Sequence, residues 1–145
     1  MLIFESKTQQ LEFQRMDSRL KQMVDYASAV ASNWGYDLRV TGIERSRART
    51  IQLYADSGKP APAASVHEMR PCRGLDSVPV PNDAPLFVQK SRIGSELALF
   101  VSRRFIYPRG KQSCLWHSLS GGEAGLHLHF QVPADGMVIP DALFT

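Results

Sequence analysis

Cysteine is scarce in this chain: only Cys72 and Cys114 occur among its 145 residues. They form no Cys-x-x-Cys pair and no framework of bridges, which excludes a disulfide-stapled scaffold. The two read as reduced, packed thiols, with one bridge between them as the alternative. Long apolar runs are also missing. None approaches the roughly 20 residues of a membrane-spanning helix, so a transmembrane protein is excluded and no membrane insertion is expected. Residues 1–15 contain no basic segment followed by a long apolar run, so no signal peptide is expected. Neither sign of charge dominates, because 17 Lys+Arg against 14 Asp+Glu leave a net +3. That surplus suits an anionic partner without demanding nucleic acid. Aromatic residues are sparsely interleaved among the arginines, so no nucleic-acid partner is expected. A phosphate-cradling glycine loop, a nucleophile elbow, internal repeats and low-complexity tracts are all absent. What remains is a 43% hydrophobic share, sufficient for a core, in a length that suits one domain over residues 1–145.

The apolar pattern orders the chain. Leu20, Met23, Val24, Ala27, Val30, Ala31 and Trp34 recur at helical spacing, with Asp17 or Ser18 as cap and Gly35 as stop. Residues 1–16 are polar and weakly periodic, and read as a loose extension of that helix. Residues 36–42 alternate as a strand. A short helix follows over about 46–57, closed by Gly58, and then a Pro/Ala loop. A short strand is expected around 75–80, with Pro79 and Pro81 marking an edge strand or its exit. A second long helix runs from about 86 to 105, and 108–111 is a turn. Strands over 113–118 and 126–132, joined by the glycine-rich residues 119–125, close the chain. The order α-β-α-β-α-β-β predicts an α+β domain with a small, largely antiparallel sheet flanked by helices.

Only four histidines occur, and three of them, His117, His127 and His129, fall near the C-terminus. Strand side chains alternate, so His127 and His129 share one face while Leu126, Leu128 and Phe130 share the other. His117, on the preceding strand of a hairpin, can sit beside them. A lone His-x-His pair has little specificity and reads equally as surface histidines. The segment Ser65-Val66-His67, followed by Gly74-Leu75-Asp76, adds to it. A His, an Asp and a distant His make a three-ligand zinc site with the fourth position left for water.

With these motifs the chain resembles the LAS group of zinc peptidases, which includes lysostaphin, the D-Ala-D-Ala metallopeptidases and the hedgehog fold. Its D-alanyl-D-alanine carboxypeptidase and L-alanyl-D-glutamate endopeptidase branch, common in bacteriophage lysins, is the nearer likeness. The motifs are VTGIER, ending at Arg45, then QLYADSG, SVHEMRPCRGLD and WHSLSGGEAGLHLHFQV, in family order over about residues 17–132. The resemblance implies a hedgehog-like fold and a zinc-dependent peptidase acting on peptidoglycan peptides. It implies His67, Asp76 and His129 as zinc ligands. His127 takes the place of a catalytic histidine, and His117 that of a further active-site histidine. Arg45 takes the place of an arginine that binds substrate. Ser65 matches the motif serine, as a substrate contact or a hydrogen bonder behind the metal.

Two departures stand out. Residues 68–75 make the His67–Asp76 interval longer than is usual, and Cys72 inside it is a second candidate ligand. Leu126 stands where many relatives carry a glutamate general base, so the base falls to His127 or, as a weaker candidate, Glu123. The alternative is a non-catalytic zinc module of the same fold, structural or wall-binding. As a phage-type lysin the chain is expected to be a monomer, delivered to the wall by a holin or a virion.

Overall fold

Capping residues and glycines decide where each helix begins and ends. The computed structural model describes residues 1–82, 90–107, 111–119 and 125–133. Residues 1–16 are not an extension of the first long helix. They form a short strand, β1 (Leu2–Ile3), and a separate helix, α1 (Lys7–Arg15), capped by the Ser6 hydroxyl at the amide of Gln9. Met16 is extended (φ −75°, ψ 170°), which breaks the helical path before Asp17 caps α2 (Ser18–Asn33) at the amide of Arg19. None of the α1 residues is buried, which is why the segment lacks a clear apolar period. α2 ends at Trp34, and Gly35 takes the left-handed turn (φ 85°) into β2 (Tyr36–Gly42). α3 (Arg47–Asp56) is capped by Ser46 and stopped at Ser57 and Gly58.

A 3-10 turn over Val66–Glu68 precedes β3 (Gly74–Pro81). Helix α4 is described over Lys90–Arg104, and its expected start at Leu86 lies outside the described residues. β4 (Cys114–His117) and β5 (His127–Gln131) complete the sheet. The expected turn at 108–111 and the connection at 119–125 fall mostly outside the described residues.

The five strands lie in the order β1-β2-β3-β5-β4. β1 pairs parallel to β2, whereas the other three ladders are antiparallel, so the sheet is mixed. β3 sits in the middle, so of the two readings of its prolines, an edge strand or the strand's exit, the second holds. The reason lies in the register. Gly74–Ser77 pair with β5, whereas Pro79 and Pro81 pair with β2 alone, opposite Leu38 and Tyr36. Beyond Ser77 the β5 side of the strand needs no donor, and proline is tolerated there.

One face of the sheet carries Leu38, Val40, Leu75, Leu128 and Phe130. All belong to one core with Leu20, Met23, Val24 and Ala27 of α2 and Ile93, Leu97 and Val101 of α4. Gly94 lets α4 lie against Trp116, because a methyl group at that position would overlap the indole. Both cysteines are buried free thiols. Among the described residues no helix is long and apolar enough to cross a membrane. The opposite face of β3, β4 and β5 carries the polar residues that build the candidate site.

Candidate metal centre

The alternation of β5 turns His127, His129 and Gln131 away from the core. The antiparallel register sets Asp76 of β3 opposite His129, and His127 opposite His117 of β4. The 3-10 turn brings in His67. The Ser65 hydroxyl accepts from the His67 amide and the Glu68 carboxylate accepts from the Ser65 amide, a capping box that fixes the turn. Ser65 is thus engaged behind His67. Gly74 makes room for the ring: a Cβ there would lie 2.6 Å from Val66 Cγ2 and 3.2 Å from the His67 ring.

His67, Asp76 and His129 are 3%, 8% and 9% exposed, and their ligand atoms lie within 4.8 Å of one another. This group could hold a metal ion. Asp76 is its hub. Oδ1 lies 2.8 Å from His129 Nδ1 and 3.5 Å from His127 Nε2, and Oδ2 lies 3.3 Å from His67 Nε2 and 3.3 Å from Arg45 Nη2. Burial alone would raise the Asp76 carboxyl. The charge of His67, hydrogen bonds to His129 and His67 and the charge of His127 outweigh it and hold the group well below the usual carboxylate range. For His129 burial prevails over the attraction of Asp76, and its imidazole is pushed below the ordinary value.

The protons in this cluster can be followed. A backbone carbonyl only accepts, so His67 donates from Nδ1 to Ile43 O at 2.6 Å, which leaves Nε2 as the nitrogen that faces Asp76. His127 likewise donates from Nδ1 to Gly125 O at 2.9 Å, with Nε2 turned to Asp76. His129 is held at Nε2 by Gln131 Oε1, 3.0 Å away. His67 Nε2 and His129 Nδ1 therefore both face the Asp76 carboxylate, where a proton on each ring or a metal ion can bridge the contact. Holding each ligand ring from behind by a hydrogen-bond acceptor is the usual construction of a metal site. The donor set, two imidazoles and a carboxylate, fits a divalent ion such as zinc.

The remaining expected residues fall as follows. His117 is buried, with its ring centroid 4.8 Å from that of His127 and 5.4 Å from that of His129. Arg45 pairs with Asp76 at 3.3 Å, its amide anchored to His67 O at 3.0 Å. Cys72 turns its sulfur to the carbonyls of Gly74 (3.2 Å) and Ile43 (3.4 Å), and burial pushes its thiol up, so it packs behind the cluster. Glu123 lies outside the described residues. Tyr54, read as packing from the sequence, is buried and close enough to Arg45 and Asp76 for their charges to act on its phenol, which burial raises. Gln131 and the Ile43 carbonyl went unnoticed in the sequence. The same two-residue alternation that pairs His127 with His129 also points to Gln131.

No protein-family model matches the chain, and no curated protein matches its sequence.

Proposed function

We propose that this chain is a zinc-dependent peptidase that hydrolyses peptide bonds of bacterial peptidoglycan, with the hedgehog-like fold of the LAS group. The observation that carries the reading is the buried Asp76 carboxylate flanked by His67 Nε2 and His129 Nδ1. These three residues would hold the zinc. When bound, zinc supplies Lewis acidity toward a scissile carbonyl and acidifies water.

The chain's own residues do the rest. His127, with Nδ1 committed to Gly125 O and Nε2 beside Asp76 Oδ1, would take a proton at Nε2 and return it to the leaving amine. His117 stands edge-on to that ring and stabilises developing charge beside it. Arg45 offers a planar fork to a substrate carboxylate, with Asp76 holding the guanidinium in place. Ser65 fixes the turn that aims His67, and Glu123 is the second candidate base. The protein acts as a monomer on a wall peptide, and a holin or virion delivers it.

A specific residue favours a second reading. Leu126 stands where many relatives carry the glutamate base, which fits a zinc-binding module of the same fold without turnover. One experiment separates the two. The purified protein is incubated with peptidoglycan, with and without a chelator, and released amino groups are measured beside its zinc content. Chelator-sensitive release supports the peptidase. One zinc per chain without release supports the silent module, and release that persists after zinc is stripped overturns both.

A further inference from the structure

We infer that Glu44 is a positioning residue for the His67 turn, held in place by Arg15 of α1, a role that rests on the metal reading above. The chain leaves β2 at Gly42, and the next three residues meet the site. The Ile43 carbonyl accepts from the His67 ring at 2.6 Å, and the Arg45 amide donates to the His67 carbonyl at 3.0 Å. The Arg45 guanidinium reaches Asp76 at 3.3 Å. Glu44, between them, turns its carboxylate to α1. Oε2 accepts from Arg15 Nε at 2.6 Å and Oε1 from Arg15 Nη2 at 2.7 Å, a bidentate pair. Oε1 also lies 3.5 Å from Arg70 Nε, and Arg70 Nη1 donates to His67 O at 2.9 Å and to Met69 O at 2.8 Å. His67 O thus accepts from the Arg45 amide and from Arg70, and Glu44 is joined to both, to one through the chain and to the other through its side chain.

An ordinary exposed ion pair contributes little. This one differs in geometry and in what it fastens. The Glu44 side chain is only 10% exposed, and one planar guanidinium grips both of its oxygens. Hydrogen bonding to Arg15 holds the Glu44 carboxyl below its usual range. Glu12, one turn before Arg15 on α1, is close enough for its charge and that of Glu44 to repel. Arg15 is what keeps residue 44 against α1 despite that repulsion. α1 fully buries none of its own residues, yet through this pair it braces the three residues that seat the His67 ring and its main chain.

The test uses the full chain, with zinc alone as the probe. Competition against a chromogenic chelator reports zinc affinity. Deuterium exchange in the metal-free protein compares the Arg45 amide with the amides of β5. Arg15→Met removes both bonds to Glu44 without altering residues 43–45. It is expected to speed exchange at Arg45 about 3- to 10-fold relative to β5, and to weaken zinc binding by a similar factor. Arg15→Lys returns the charge without the planar fork and should fall between the two. Lys7→Met removes an exposed charge from the same helix and should match wild type. A merely structural role would speed exchange at β5 as much as at Arg45 and leave zinc affinity unchanged. The inference is overturned if Arg15→Met speeds Arg45 no more than β5, if it binds zinc as wild type does, or if Lys7→Met weakens zinc binding equally. A wild type that takes up no zinc, while Arg15→Met selectively frees the Arg45 amide, supports the positioning contact and overturns the metal reading instead.

Discussion

β5 contributes to both faces of one sheet, and the two faces follow different physics. Leu128 and Phe130 are fully buried against the helices. Burying such a side chain stabilises the fold by about 1.5–3 kcal/mol. One residue away in each direction, His127, His129 and Gln131 face Asp76, His67 and His117. Here burial costs free energy, because a carboxylate and imidazoles lose water, and their mutual hydrogen bonds and ion pairs offset that cost. The core face is arranged for stability. The polar face gathers buried ionisable groups that a cation can use, and the core face offsets the cost of burying them, a trade common at functional sites.

The contrast can be broken from either side. The largest effect belongs to the core: Phe130→Ala should destabilise the metal-free protein by about 3–5 kcal/mol in urea unfolding. A loss below about 1 kcal/mol, the size of a surface change, would remove the contrast. Next comes the hub of the polar face. Asp76→Asn swaps a carboxylate for a group whose NH2 can donate to a ring nitrogen. Stoichiometric zinc uptake should be lost, and the metal-free protein at about pH 8 should lose about 1–2 kcal/mol, because the fold favours the ionised carboxyl. A destabilisation as large as that of Phe130→Ala would show instead that the polar face holds the fold together.

The smallest effect is set by pH. Burial depresses the His129 pKa below its ordinary value of 6.5. The folded protein therefore binds the proton less readily than the unfolded chain. The stability tied to the neutral ring is complete above about pH 6.5 and is lost as pH falls through that value toward the folded pKa. The melting temperature of the metal-free protein should drop between about pH 7 and pH 5.5, with a shallower slope in His129→Leu. An unchanged slope in that variant would place the acid sensitivity elsewhere.

Some of this was legible in the residues and some was not. The period of α2 marks its buried face, and Asp17 and Gly35 mark its ends, because helix periodicity and capping are local. The segment before it was misread, since a two-residue strand and a helix with no buried residue leave little pattern. The prolines of β3 left an edge strand and a strand's exit undecided, because proline at a strand's end looks the same whether a neighbour stops short or never exists. His67, Asp76 and His129 could be singled out by residue type and order. The same alternation places Gln131 on their face, but an amide there signals no chemistry until its partners are seen. The same holds for Gly74, whose missing side chain matters only beside the His67 ring.

The sequence by itself determined the elements and the sidedness of each strand, because both follow from side-chain periods within a few residues. It assigned Leu128 and Phe130 to one face and His127 and His129 to the other. Tertiary structure alone decided which groups meet. A 3-10 turn, a central strand and a strand some fifty positions later converge only once β3 lies between β2 and β5 and Asp76 stands opposite His129. Register, tautomer and the carbonyls behind each ring are properties of packed neighbours, and no local pattern carries them.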